Sequence, residues 1–132
     1  MANLASKSAI RASFLALAAI VAAGCAETIT AAPLDSSKAR EALKTTLEAW
    51  KRGDEPSALK SASPAITAQD LDWLAGAKLV SYEVKGEGTG VGSNLRVPVQ
   101  VTLTDKDGKD IVKTVNYVVG TSPSLTVFRD VR

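Results

Sequence analysis

The sequence predicts an α+β domain in which N-terminal helices pack on one face of a curved, four-stranded antiparallel sheet. Three observations lead there. The chain has 132 residues, room for one domain of the usual ~100–150 residues and little else. Apolar residues recur at helical spacing as far as Gly53, and after Gly76 the period changes to two. Helices first and consecutive strands afterwards is the order of a sheet covered on one face.

The first helix starts near Ser36, where Asp35, Ser36 and Ser37 offer capping oxygens, and carries Ala39, Leu43, Leu47 and Trp50 on one face. Lys38, Arg40, Glu41, Lys44, Glu48 and Lys51 surround that stripe, and Gly53 ends it after two basic residues. Asp54 to Ser57 opens a second, shorter helical piece through Ala58, Leu59 and Ala62, which Pro64 interrupts. Thr67-Ala-Gln-Asp70 has the form of a capping box ahead of Leu71, Trp73 and Leu74, and Gly76 closes that turn.

Residues 78–85 then alternate, with Val80, Tyr82 and Val84 on one face. Residues 95–104 alternate more strictly, Leu95, Val97, Val99, Val101 and Leu103 standing against Arg96, Pro98, Gln100, Thr102 and Thr104, the pattern of a half-buried strand. Turn residues around Gly108 lead to a third strand over 111–119, and Thr121-Ser-Pro-Ser124 leads to a fourth over 125–131. Pro98 has no N–H for a ladder, so its strand is expected to be an edge there or to carry a bulge.

The N-terminus has a different character. Lys7 and Arg11, with no acid, precede about a dozen apolar or small residues, the layout of a secretory signal. The apolar run falls short of the ~20 residues that a spanning helix needs. It ends in Val21-Ala-Ala-Gly24-Cys25, which resembles the lipobox of bacterial lipoproteins, with Ala22 where Leu is usual. That resemblance implies cleavage between Gly24 and Cys25, a signal peptide over 1–24, and diacylglycerol and acyl chains on Cys25. Two or more chains hold a protein firmly to a bilayer, whereas one holds it marginally. Residues 25–35 would be a lipidated tether and 36–132 the domain. Ala26 rather than Asp after the cysteine resembles the signal for the outer membrane, so an envelope location facing periplasm or exterior is expected.

Composition excludes several classes of function. Taking Lys7 and Arg11 away from the 16 bases leaves 14 against 14 acids, so the mature part lacks the basic excess that nucleic-acid binding needs. There is no histidine and one cysteine, which excludes the common zinc ligand sets, Cys–His nucleophiles and Ser-His-Asp triads. No metal and no cofactor is therefore expected. Gly86-Glu-Gly-Thr-Gly-Val-Gly92 lacks phosphate-loop spacing and precedes a strand instead of a helix, which makes it a strand connection. Asp105, Asp107 and Asp110 lack the calcium-loop register and fit a tight hairpin.

The element order, with a first helix ending Leu47-Glu-Ala-Trp50-Lys-Arg-Gly-Asp54, resembles the cone-shaped NTF2-like superfamily over about residues 36–131; cystatin-like domains share a helix on a meander and are the alternative. The resemblance implies a cavity between helix and sheet, which makes Trp50, Trp73, Tyr82 and Tyr117 candidate pocket residues. Ketosteroid-isomerase-like enzymes of that fold pair an Asp base with a Tyr or Asp donor, so Asp70, Asp72, Tyr82 and Tyr117 are the possible catalytic set. Each also has an ordinary place, the acids at a helix start and the aromatics in a core. The expectation is a non-enzymatic, membrane-anchored module binding a small apolar ligand or another envelope protein, with an isomerase- or dehydratase-type cavity enzyme as the alternative.

Overall fold

A computed structural model describes residues 32–132; the leader, Gly24 and Cys25 lie outside the described residues. Among the described residues no helix is long and apolar enough to cross a membrane.

Helix α1 runs Ser36–Arg52. Asp35 caps it, its carboxylate accepting the Lys38 N–H at 3.0 Å. Gly53, at φ 89°, ends it: the Gly53 N–H donates to the Trp50 carbonyl and the Asp54 N–H to the Ala49 carbonyl, a Schellman closure that needs a left-handed residue. The stripe named above is buried, with Leu43 and Leu47 shut off completely and Ala39, Ala42 and Trp50 beside them. The second helical piece is a 3-10 turn over Pro56–Ser61.

The sheet has six strands instead of the four expected, and it is mixed. They are β1 (Ile66–Gln69), β2 (Lys78–Val84), β3 (Thr89–Val91), β4 (Asn94–Thr104), β5 (Asp110–Gly120) and β6 (Leu125–Asp130). The path is β1-β6-β5-β4-β2, with β3 also on β4, and the sheet curls into half a barrel. Two short strands account for the difference in number. Strand β1 lies parallel to β6, Ile66 opposite Leu125, so Thr67 belongs to a strand and is not a helix cap. Asp70 is the cap of α2 (Leu71–Leu74), accepting from the Asp72 and Trp73 N–H groups. Strand β3 forms inside the glycine-rich stretch, because Gly88 lets the backbone approach β4 where a Cβ would meet the Arg96 carbonyl at 2.9 Å.

One further expectation, at Val80, is corrected. A bulge between Leu79 and Ser81 turns Leu79 inward and leaves Val80 exposed, so Val80 does not share a face with Tyr82 and Val84. Pro98 lies in β4, which runs between β5 and β2 in the sheet path. Its carbonyl accepts the Lys85 N–H, and its missing N–H faces the same way, into the gap where β2 ends at Val84 and β3 has yet to begin. The strand is locally an edge there, which is why the ring is tolerated.

The inner face of β4, from Leu95 to Leu103, meets α1 across a core completed by Val115, Tyr117, Val119 and Val127. The β4–β5 hairpin uses its acids in the turn: the Asp105 carboxylate accepts the Asp107 and Lys109 N–H groups at 2.9 Å, and Asp110 accepts the Thr104 hydroxyl. These carboxylates are turn groups, and among the described residues no acid cluster suited to a metal ion forms.

Candidate functional site

The polar centre of the molecule grows from the first turn of α2. Asp70 is 3% exposed, and besides its two capping bonds it accepts the Tyr117 hydroxyl at 2.5 Å and Arg129 Nη1 at 3.2 Å. Arg129 Nη1 also donates to Asp72, whose carboxylate is 2.6 Å from Lys113 Nζ. Two carboxylates, two cations and one phenol thus join α2 to β5 and β6.

Register explains how they meet. Tyr117 lies opposite Arg129, and Lys113 and Val115 are on the same inward parity of β5, so three polar side chains project from the inner face toward α2. Desolvation alone would raise the Asp72 carboxyl. Hydrogen bonds from Lys113 and Arg129, together with their charges, outweigh it and hold the group below its ordinary value. Burial, then the charge and hydrogen bond of Asp70, push the Tyr117 phenol well above its ordinary range, so it stays protonated. Arg129 is held charged, since its carboxylate partners outweigh the desolvation that opposes it.

The inner half of this group, Asp70 and Tyr117, is closed, whereas Asp72 and Lys113 are partly exposed. Asp70 already accepts four bonds, Tyr117 gives its proton to Asp70, and the space bordered by Thr46, Trp50, Asp70, Trp73 and Tyr117 leaves ≈ 0 Å³ for a water-sized guest. Among the described residues no buried side-chain polar atom lacks a partner. An acid–base site needs a reacting atom within reach of its base, and the space beside Asp70 and Tyr117 has no room for one.

Trp50 and Trp73 come together, stacked at 5.4 Å with 11° between their planes. They are 3% and 7% exposed, and each indole N–H has a carbonyl partner, Ala77 for Trp50 and Asp54 for Trp73. Their edges border an open groove of about 870 Å³ with Lys51, Glu55 and Val80 on its rim. Tyr82 is brought together with none of these. Its hydroxyl donates to Glu48 of α1 at 2.6 Å, and burial followed by the Glu48 bond and charge raises it to about 12.

Lys113, Arg129 and Glu48 were not singled out as site residues by their types. For the first two a signal exists: each is a charged residue at the inward parity of a strand whose neighbours are Val115 and Val127. No family, curated protein or solved structure matches this chain.

Proposed function

We propose that the chain is a bacterial lipoprotein, held to an envelope membrane through Cys25, whose domain is a non-catalytic binding module. The leader ending in Gly24-Cys25 supports the anchor. The observation that carries the second half is the filled interior: the space between Trp50, Trp73, Asp70 and Tyr117 admits nothing the size of water, and Arg129 is bonded to Asp70. A ligand or an envelope partner would then be met on the surface rather than inside a cone. A helix laid across one face of a curled sheet is what the NTF2-like resemblance implies, and the parallel β1 beside β6 departs from a plain helix-on-meander layout of cystatin type.

The test has two parts. Metabolic labelling with palmitate should mark the wild-type chain and not Cys25→Ser, which should also leave the membrane fraction; retention of the variant on the membrane overturns the anchor. Turnover of ketosteroid or small carbonyl substrates that disappears in Asp70→Asn while the fold persists would sink the binding reading in favour of a cavity enzyme.

A further inference from the structure

The two ends of the domain differ in charge, and the chain leads out of one of them. The Ala32 N–H donates to the Ser122 hydroxyl at 3.3 Å and the Asp35 N–H to the Thr121 hydroxyl at 3.4 Å, so residues 32–35 lie against the β5–β6 turn. Asn94 pairs with Gly120 and Ile66 with Leu125, which brings the β3–β4 turn and the segment before β1 to the same end. Its exposed tips, Pro64, Ala65, Val91, Ser93, Pro123 and Ser124, hold no ionisable group. Asp35 is the acid there, and its carboxylate is taken up in capping α1, with Lys38 and Glu41, one of each sign, farther back on the helix. At the other end every residue from 105 to 110 except Gly108 is charged, as is every residue from 51 to 55 except Gly53. Lys78 opposite Thr104 and the Trp50 indole on the Ala77 carbonyl bring those two stretches together.

Residues 26–31 separate Cys25 from Ala32, with Glu27 the one ionisable side chain among them. Even fully extended, at ~3.3–3.6 Å per residue, the stretch from Cys25 to Ala32 reaches about 25 Å at most. Strand β4 runs from one end of the domain to the other, and its eleven residues at about 3.3 Å each measure roughly 35 Å. A chain anchored at Cys25 is therefore too short to set the charged end on the bilayer. Lying on a side would bring the exposed Glu41, Lys44 and Lys51 of α1, or the Arg96–Asp130 pair on the outer face of the sheet, to the interface, where ions give up water. Val91, Pro64 and Pro123 enter a headgroup layer without that cost. We infer that the end formed by the β3–β4 turn, the β5–β6 turn and the segment before β1 is a membrane-contact surface, seated on the lipid headgroups with the charged end turned away. The inference rests on the anchor half of the reading above and adds to it an orientation and a surface.

Acylation would occupy the one cysteine of the chain, so a cysteine added elsewhere is a single free thiol. Ser93→Cys and Ser124→Cys at the uncharged end and Asp107→Cys at the charged end are each labelled with bimane on the full-length acylated chain in phosphatidylcholine vesicles, and quenched by a nitroxide carried on the lipid headgroup. Quenching about threefold stronger at both Ser93 and Ser124 than at Asp107 is expected. A short tether by itself keeps one end low, so a second form carries twenty Gly/Ser residues between Thr30 and Ala31, which gives the linker an r.m.s. span of ~25–30 Å. A seated end keeps the ratio above about two in that form, whereas a domain that is only tethered brings it to one. Val91→Glu/Ala65→Glu in the lengthened chain puts two ions on exposed tips and should bring the ratio to one with the melting temperature unchanged. Equal quenching at Ser93 and Asp107, loss of the ratio on lengthening, or a ratio indifferent to the two glutamates would each overturn the surface. So would shielding of the Ser93 and Ser124 labels from dissolved iodide that follows protein density instead of lipid, since a second copy would then cover this end. Departure of the chain from the vesicles is a different result: it overturns the anchor, and this surface with it.

Discussion

Two corners of one helix–sheet contact behave differently. Where α2 and the C-terminal half of α1 close over β5 and β6, Trp50 and Trp73 fill the gap and every polar group is matched: Asp70 by Tyr117 and Arg129, Asp72 by Lys113. Where β2 runs out past the N-terminal half of α1, the inner-facing Tyr82 and Val84 line an open slot with Leu43 behind them. The same sheet face is core at one end and surface at the other. Stability should therefore concentrate at the closed corner and tolerance at the open one.

The largest effect tests that division directly. Trp50→Ala removes a stacked, buried indole and its bond to the Ala77 carbonyl, and should cost ~3–5 kcal/mol out of the ~5–15 kcal/mol typical of a whole domain. Val84→Ala, on the same inner face, should stay within ~0.5 kcal/mol as exposed substitutions do. Denaturant midpoints of the two variants compare the corners, and equal losses would erase the distinction.

Next in size is Arg129→Met, which keeps the length of the side chain and leaves Asp70 and Asp72 short of a cation. A loss of ~2–3 kcal/mol is expected, since Asp70 is buried and keeps only Tyr117 and its two cap bonds. A change under ~0.5 kcal/mol would mean that Arg129 is a surface charge in solution rather than the link between α2 and β6.

Asp72 makes the cluster sensitive to acid. Its carboxyl is held below its ordinary value in the folded chain, so the folded state gains from ionised Asp72 at any pH above about 4. That gain is lost as pH falls below about 4 and through the lowered folded value. Asp72→Asn should lower stability at neutral pH modestly, because Asp72 is partly exposed, and should make the acid limb of a stability–pH curve shallower. A limb of unchanged slope would assign acid sensitivity to other carboxylates.

The closed corner was the less legible of the two. Helix α1, its cap at Asp35 and its end at Gly53 follow from periodicity and local chemistry, as do the long strands β4 and β5, because each signal lies within a few residues of the element it decides. The short strands escaped for a physical reason. Ile66–Gln69 is four residues long and owes its extended form to β6, some sixty residues away, while Thr89–Val91 depends on β4 accepting a glycine at close range. Asp70, Asp72 and Tyr117 stood out as residue types, but their joining required knowing that Tyr117 faces Arg129 across β5 and β6. Tyr82 looked like a member of the same pocket because alternation tells which face a residue is on and says nothing of which end of that face is covered.

The smallest effect concerns the open corner itself. Tyr82→Phe deletes the hydroxyl that donates to Glu48 and leaves the ring on the slot wall, so about 0.5–1 kcal/mol should be lost for one partly exposed hydrogen bond to a charged group. Its pH signature is more informative than its size. The phenol titrates near 10 in an unfolded chain and is raised to about 12 in the folded one, by burial first and then by Glu48. A raised value favours the protonated folded state, so the contribution is complete below pH ~10 and drains away as pH climbs through about 12. Tyr117 is raised as well and continues to hold its proton there, so the variant should show a shallower loss between those values instead of none. Unfolding midpoints measured every half unit from pH 8 upward would decide it. If wild type and Tyr82→Phe fall in parallel, the Tyr82–Glu48 contact does not persist in solution and the ring is free to leave the slot; if they diverge above about pH 10, the wall of the open corner is held in place by α1.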